Sequence, residues 1–308
     1  MEEKIIEKNS TVIYKSVAII LILISHIGRY IGINLLKPLG SVGVAIFLVV
    51  SGYGLNESFN LKGRKGFISK RFVKVFIPYI LIVIIYSIIQ RANIVDIIKY
   101  SLLIELPNGM YWFIKYIICI YAIFYGATFI KNNKHRKYIL AICILLFTII
   151  NYNIRNYIWQ IFSFMSGVIL SENQNKFKKV INNNKYIIIF TFITIVSVFF
   201  KKLPFVEKRE TGILDTILQI LITFNLSAII LIIINRFNQI RVFNNYLIRE
   251  IGNVSYEIYL IHVFFFDVMK EKTIISIFKY LIIVLILVFI LHIVNTMINK
   301  ALAKGEKI

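Results

Sequence analysis

Long apolar runs recur along almost the whole chain. From residue 12 to residue 298 they are interrupted only by short polar or charged stretches. A helix needs about 20 apolar residues to cross a hydrocarbon core of about 30 Å. The runs "YIICIYAIFYGATFI" (116–130) and "KYLIIVLILVFILHIV" (279–294) are apolar all round, whereas the strands of a membrane barrel alternate in polarity. The pattern therefore predicts an all-α, polytopic membrane protein.

The runs predict about ten transmembrane helices and one transmembrane domain over residues 1–308. The spans cover approximately 12–30, 40–56, 70–90, 110–130, 137–152, 156–171, 185–200, 213–234, 251–270 and 274–298. The first span follows "MEEKIIEKNS" without a small-residue cleavage site, so we expect an uncleaved helix and not a signal peptide. We expect no fused extracytoplasmic domain, because no run is left over for one.

Composition and charge agree with a membrane location. Hydrophobic residues make up 58% of the chain, and its mean hydropathy is +0.78, well above the values of soluble domains. The net charge of +21 would favour a nucleic-acid partner only in a soluble protein. Here most Lys and Arg residues fall on one side of the membrane if the amino terminus lies inside, which favours two cytoplasmic termini. The basic loop at 201–213 departs from this rule.

Ionisable side chains inside the spans are candidate functional residues, because each is costly in lipid without a partner or water. The candidates are His26, Lys115, Asp215, Glu257, His262, Asp267 and His292. His26 lies about 20 Å along the first span, in its outer half, and His262 lies near the middle of the ninth. For both, a buried ring that bonds to a neighbouring helix is as good an explanation as a functional ring. We interpret His292 as a core residue.

The carboxylates differ in their expected surroundings. Asp215 and Glu257 lie near span ends, so we expect them to contact water. Asp267 lies in the outer turn of the ninth span, and we expect it to share an outward cavity with His26.

Two further patterns have a structural and a functional interpretation. The second span, "GSVGVAIFLVVSGYGLNES" (40–58), is rich in small residues, which allow close helix packing or leave room for a ligand. "LKGRKGFISKRFVKVFIPY" (61–79) forms a basic corner before Pro78, which we expect to kink the third span. Arg71 and Lys74 are three apart on one helical face and could bind a multiply charged anion. Positive-inside anchoring explains the corner too.

Five stretches together resemble a known family. They are "LISHIG" (23–28), "VGVAIFLVVSGYGL" (42–55), "SKRFVKVFIPY" (69–79), "MYWFIKYIICIYAIFY" (110–125) and "IGNVSYEIYLIHVFFF" (251–266). In this order they resemble the membrane-bound acyltransferase type 3 family, bacterial enzymes that O-acylate surface polysaccharides. The resemblance covers approximately residues 12–298.

The resemblance implies a fold, a reaction and a location. It implies about ten helices in the bacterial cytoplasmic membrane and an acyl-coenzyme A donor on the cytoplasmic side. His26 corresponds to the family's essential first-helix histidine. Arg71 and Lys74 correspond to a basic pair that meets the donor, where the family usually has arginine twice. Lysine at 74 keeps the charge but loses the planar fork of hydrogen-bond donors.

The candidate residues fit acyl transfer to an alcohol. Such a reaction needs a base for the hydroxyl proton, and a neutral imidazole is the usual one, so His26 is the candidate. Asp267 or Glu105 could orient its ring. The tetrahedral intermediate needs oxyanion donors, for which Ser51, Tyr53, Trp112 and Lys115 are suitable types, with His262 as a further supporting residue. Lys115 could instead reach the membrane interface. We expect no metal and no permanently bound cofactor.

The sequence therefore predicts a membrane O-acyltransferase. It would move an acyl group, most simply acetyl from acetyl-coenzyme A, to a hydroxyl of a cell-envelope or exported glycan, including a lipid-linked sugar. Two alternatives remain open. Ten helices with histidines near the midplane also describe a transporter or flippase for polysaccharide precursors, although no inverted repeat is evident. Lysine at 74 also leaves room for a non-catalytic family member.

Overall fold

The protein is helical throughout the residues that its computed structural model describes, which are 8–207, 212–237 and 245–305. The helices are α1 (Lys8–Ile31), α2 (Pro38–Lys62), α3 (Phe67–Arg71), α4 (Ile77–Gln90), α5 (Ile94–Ser101), α6 (Trp112–Ala127), α7 (Asn133–Ile150), α8 (Arg155–Trp159), α9 (Ser163–Glu172), α10 (Gln174–Asn182), α11 (Asn184–Lys201), α12 (Pro204–Glu207), α13 (Ile213–Phe237), α14 (Tyr246–Asn253), α15 (Ser255–Ile261) and α16 (Ile274–Gly305). These residues include no strand, and the predicted all-α class is confirmed.

Seven segments of the described residues are long and apolar enough to cross a membrane. They are Ser10–Ile31, Asn34–Lys62, Phe67–Gln90, Gly109–Ala127, Asn184–Lys201, Ile213–Phe237 and Ile274–Ala301. Each overlaps one of the ten predicted spans. The count of ten and the side on which the termini lie stay predictions. Some of the basic residues on which the predicted orientation rests, including Lys208 and Arg209, lie outside the described residues.

Two of the other predicted spans are not continuous helices. The run 156–171 forms α8 and α9, which are separated by a turn at Gln160, whose side chain donates to the carbonyl of Ser41 (2.9 Å). The run 251–270 forms the end of α14, α15 and the 3-10 helix His262–Met269. There the His262 ring bonds to the Tyr259 carbonyl (2.7 Å), three residues earlier in the same segment. Apolarity alone gives no sign of either break.

The chain comprises two compact units. The first unit is Met1–Gly63 with Ile120–Asn253, and the second is Arg64–Cys119 with Val254–Ile308.

In the first unit, glycines bring the helices around α2 into close contact. Gly43 packs against Ala18 and Ile22 of α1. Gly52 of α2 and Gly167 of α9 lie so close to the opposite backbone that a Cβ at either would collide with a carbonyl oxygen. Close packing therefore accounts for Gly43 and Gly52. Gly54 differs, because a Cβ there would meet no atom of the described residues within 4 Å.

In the second unit, tyrosine hydroxyls connect segments that are distant in sequence. Each needs an acceptor in apolar surroundings and finds a backbone carbonyl. The bonds are Tyr79 to Tyr100 (2.8 Å), Tyr111 to Leu260 (2.7 Å), Tyr256 to Val75 (2.8 Å), Tyr259 to Met110 (2.8 Å) and Tyr280 to His262 (2.9 Å). They fix the helix breaks near residues 110 and 262.

The predicted disturbance at Pro78 takes the form of a π-helical turn over Phe72–Phe76. Proline has no N–H, so the carbonyl of Lys74, four residues earlier, loses its α-helical donor. The π-helical turn, whose hydrogen bonds join residues five apart, accommodates this loss before α4 begins at Ile77.

Candidate functional site

His26 lies near the carboxyl-terminal end of α1 in the first unit, and its ring is half-buried. The helix ends at Ile31, and the chain returns into α2 through a short 3-10 turn. The adjacent Ser25 donates a hydrogen bond to the carbonyl of Lys37 (2.8 Å), and Gly40 packs directly on Ser25. This places the first turn of α2 beside Ser25, the residue that precedes His26. A half-buried imidazole in this position can meet a substrate, as a general base must.

Ser51 and Tyr53 lie further along α2. Ser51 accepts a hydrogen bond from the hydroxyl of Tyr121 (3.3 Å), and Tyr53 is buried. Ser51 is eleven residues beyond Gly40, which at 1.5 Å per residue is about 16 Å along the helix axis. Because Gly40 is level with Ser25, the first unit does not bring these two side chains to His26.

Arg71 and Lys74 occupy the junction between α3 and α4 in the second unit. Arg71 ends α3 and is half-buried, whereas Lys74 lies inside the π-helical turn and is exposed. Residues three apart are spread further round the axis of this wider helix than in an α-helix. The two side chains therefore diverge more than the predicted shared face implies. Their role in donor binding stays a prediction.

Glu105, which lies between α5 and α6, and Lys115, which lies on α6, both have partners close in sequence. Glu105 is exposed and pairs with Lys99, whose Nζ lies 2.7 Å from its carboxylate oxygen. This hydrogen bond and the charge of Glu105 raise the pKa of Lys99. The Lys115 ammonium donates to the carbonyl of Ile104 (3.2 Å). Trp112 is half-buried and meets Tyr116 edge to face, with 6.3 Å between ring centroids.

His262 and Asp267 have opposite environments. His262 is fully buried, and its Nδ1–H donates to the Tyr259 carbonyl at 2.7 Å. The ring also meets the edge of Phe266 at a centroid distance of 5.8 Å. These contacts favour a structural role for His262. The Asp267 side chain is 80% exposed and lies 3.8 Å from Lys270. The predicted cavity shared by Asp267 and His26 stays a prediction.

Two carboxylates that we expected to contact water are buried. Asp215 lies between the cations of Arg155 and Lys201. Glu257 lies 3.3 Å from His292 Nδ1 and accepts from Asn295 Nδ2 (3.3 Å). His292 is therefore not a lone core residue, and its ring is only half-buried. The sequence contained a signal for the buried polar contacts of Asp215. Asp215, Gln219 and Thr223 recur every four residues along an apolar helix and so share one face.

The comparisons with known proteins point to one family. A family model described as an acyltransferase domain matches residues 13–298, and this range contains His26 and every other candidate residue described above. No curated protein and no solved structure matches the chain.

Proposed function

Because this chain belongs to the acyltransferase type 3 family, whose domain model matches residues 13–298, we propose that it O-acylates a glycan of the cell envelope or an exported glycan. The acyl group, most simply acetyl, would come from acyl-coenzyme A as a co-substrate, and the acceptor would be a sugar hydroxyl, free or lipid-linked. The family match over nearly the whole chain is the observation that carries the proposal. It also favours an enzyme over a transporter or flippase.

In the proposed reaction, His26 acts as the base. Its neutral imidazole takes the proton of the acceptor hydroxyl while that oxygen attacks the thioester carbonyl carbon. The tetrahedral intermediate collapses by breaking the carbon–sulfur bond, and the coenzyme A thiolate leaves and takes the proton from the imidazolium. An ester and a thiol result, with no oxidant or further reactant. The half-buried ring of His26 supports this role.

Arg71 and Lys74 would hold the anionic donor. The diphosphate of coenzyme A carries several negative charges, and an arginine fork with an adjacent ammonium can neutralise them. The exposed side chain of Lys74 and the concentration of cations at 62–74 support this assignment.

We further propose that one transmembrane domain of ten spans lies in the bacterial cytoplasmic membrane with both termini in the cytoplasm. This topology puts the basic corner on the side where acyl-coenzyme A is made. The distribution of Lys and Arg supports it.

The function is tested by chemical analysis of envelope glycans. Cells with and without the gene are compared for acyl esters that mild base releases, and the gene is returned on a plasmid as a control. We expect the esters to disappear with the gene and to return with it. Equal ester content in all three strains would contradict the proposal. In vesicles, sugar flux without acyl-coenzyme A would instead support the transporter.

A further inference from the structure

A buried carboxylate holds two cations at one end of the first unit. Asp215, in the first turn of α13, is 5% exposed. Its Oδ2 lies 3.0 Å from Nη2 of Arg155, which begins α8, and its Oδ1 lies 3.1 Å from Nζ of Lys201, which ends α11. A buried carboxylate needs such partners, because its charge has lost its water. One negative charge, however, balances only one of the two cations.

A polar face of α13 continues from this carboxylate into the unit. Gln219 and Thr223 follow Asp215 at intervals of four residues, so the three share one helix face, and all three are buried. Gln219 accepts from Lys201 Nζ (2.6 Å) and donates to the hydroxyls of Ser41 and Thr223 (3.3 Å each). The two hydroxyls are 3.0 Å apart. We call Arg155, Lys201, Asp215 and Gln219 the Asp215 cluster.

The Asp215 cluster lies at the same end of the unit as His26. Ser41, at the far side of the hydrogen-bond network, follows Gly40, and Gly40 packs on Ser25, the residue next to His26. The cluster is also at helix ends, where α11 stops and α8 and α13 start. A group bound there would therefore lie at the level of the membrane interface and at the level of the candidate base.

Within the part of the chain that the structure describes, the groups of the cluster that have no hydrogen-bond partner are all donors. The oxygens of Asp215 and Gln219 face the cations, and the Gln219 amide is engaged by the two hydroxyls. Arg155 places one of its nitrogens on Asp215 and keeps others, and its side chain is 36% exposed. Lys201 directs its ammonium to two oxygens, is 27% exposed and can donate a third hydrogen bond.

Trp159 adds a further donor beside Arg155. Its Nε1 is buried without a hydrogen-bond partner among the described residues. The guanidinium carbon of Arg155 lies 5.8 Å from the centroid of the Trp159 ring. Among the described residues, the spare groups of this site only donate and the site carries one excess positive charge, so it matches a ligand group that only accepts. Carboxylate and phosphate are such groups, and both suit the arginine fork.

We propose that Arg155 and Lys201 bind an anionic group, a carboxylate or a phosphate, of the acceptor glycan. This inference rests on the proposed function, because it takes the occupant to be the acceptor. Asp215 and Gln219 hold the two cations in place so that little side-chain freedom is lost on binding. The inference also gives a role to Lys201, one of the basic residues at 201–213 that depart from the positive-inside pattern. A lipid headgroup phosphate offers the same chemistry, so the test separates the two sources.

Binding can be measured with Trp159 as a built-in reporter. The chain has two tryptophans, so Trp112→Phe leaves Trp159 as the sole one. The full-length variant is placed in phosphatidylcholine nanodiscs and titrated with sodium phosphate, glucuronate or glucose at constant ionic strength. We expect a saturable change of emission with phosphate and glucuronate and none with glucose. No change with either anion, or an equal change with glucose, would overturn the inference.

Substitutions test whether the response belongs to the Asp215 cluster. Lys201→Gln and Arg155→Lys should each weaken binding about tenfold or more, the value of one hydrogen bond between charged groups. Lys37→Gln is the matched control, because Lys37 is exposed at the same end of the unit, and it should bind like the parent. An equal loss of anion binding in Lys37→Gln would show that binding depends only on the total positive charge at this end of the unit, and it would overturn the proposed site. Arg155→Lys keeps two positive charges beside Asp215, so we expect it to fold. It provides the test if Lys201→Gln does not fold.

Two further experiments identify the molecule whose anionic group binds to the Asp215 cluster. Discs that contain phosphatidylglycerol are compared with neutral discs, and a response to this lipid but not to soluble anions would overturn the assignment to the acceptor. Acyl transfer is then measured with uronic-acid oligosaccharides and their carboxyl-reduced forms. We expect Lys201→Gln to raise KM for the acidic acceptor with little change in kcat.

The outcomes keep the two proposals apart. Transfer with the same KM for acidic and reduced acceptors, unchanged in Lys201→Gln, would overturn the inference and leave the proposed function standing. Saturable anion binding without acyl transfer to any glycan would remove the proposed function and, with it, the acceptor as the occupant.

Discussion

Two histidines on apolar helices differ in what surrounds them. His262 is fully buried, its Nδ1–H is committed to the Tyr259 carbonyl, and its own carbonyl accepts from Tyr280. His26 is half-buried at the end of α1. A general base has to exchange a proton with a substrate, so access to the ring is a requirement. At the scale of single residues, burial is therefore consistent with the proposal that His26 is the catalytic group and that His262 has a structural role.

Replacement of His26 tests the base directly. His26→Gln keeps the size and polarity of the side chain but cannot accept a proton near neutral pH. We expect acyl transfer to fall by about 10²- to 10⁴-fold, the usual contribution of general base catalysis. The measurement is release of coenzyme A from acyl-coenzyme A in the presence of the glycan acceptor, at matched amounts of inserted protein.

The control for His26 is the same substitution elsewhere in the membrane. His292→Gln also removes an imidazole from an apolar helix, and glutamine can still bond to Glu257. We expect this variant to retain its activity. Equal losses in both variants, or full activity in His26→Gln, would rule out His26 as the base.

Asp215 gives a prediction for stability at the same scale. Asp215→Asn preserves the shape of the side chain but leaves the cations of Arg155 and Lys201 without a counter-charge. We expect a loss of about 2 kcal/mol, less than the 3–5 kcal/mol of a completely buried pair, because both cations reach solvent. A lower thermal midpoint in detergent would report it. Asp267→Asn, at an exposed pair, is the control and should leave the midpoint unchanged.

At the scale of elements, the contact between α2 and α9 depends on glycine. Gly167→Ala would drive a Cβ into the carbonyl of Val49. Overpacking of this kind costs about 1–3 kcal/mol, so we expect a lower thermal midpoint. Gly54→Ala is the matched control on α2, because its Cβ meets no described atom within 4 Å and alanine favours the helix by up to about 1 kcal/mol. Equal effects of both substitutions would contradict the packing argument.

The π-helical turn before Pro78 sets the directions of Arg71 and Lys74. Pro78→Ala restores an N–H for the Lys74 carbonyl, so we expect the turn to relax toward an α-helix and the two cations to change their relative direction. KM for acyl-coenzyme A should rise by up to about tenfold, the value of one charge-assisted hydrogen bond. Pro204→Ala, at the first position of α12, removes no constraint on a helix interior and is the control. An unchanged KM would separate the turn from donor binding.

At the scale of the whole molecule, apolar runs specify helices but not their interruptions. The all-α class follows from run length alone, because lipid leaves the backbone no other partners. At the breaks after Trp159 and at His262, side chains bond to the carbonyls of Ser41 and Tyr259, and run length contains no information on these bonds. The same holds for the Asp215 cluster. The spacing of polar residues on α13 is visible in the sequence, but the approach of Arg155, sixty residues earlier, depends on the tertiary fold.

The orientation of the chain in the membrane is the remaining prediction, and the two ends of α2 can test it. Leu35, just before α2, and Leu61, in its last turn, are 82% and 70% exposed, so each can be replaced by cysteine in a variant without Cys119 and Cys143. With a cytoplasmic amino terminus, Leu35→Cys should react with a membrane-impermeant maleimide in intact cells, and Leu61→Cys only after permeabilisation. This result would put the Asp215 cluster outside and the cations at 62–74 inside. The reverse pattern would contradict the positive-inside assignment and place the cluster in the cytoplasm, where an exported glycan could not reach it.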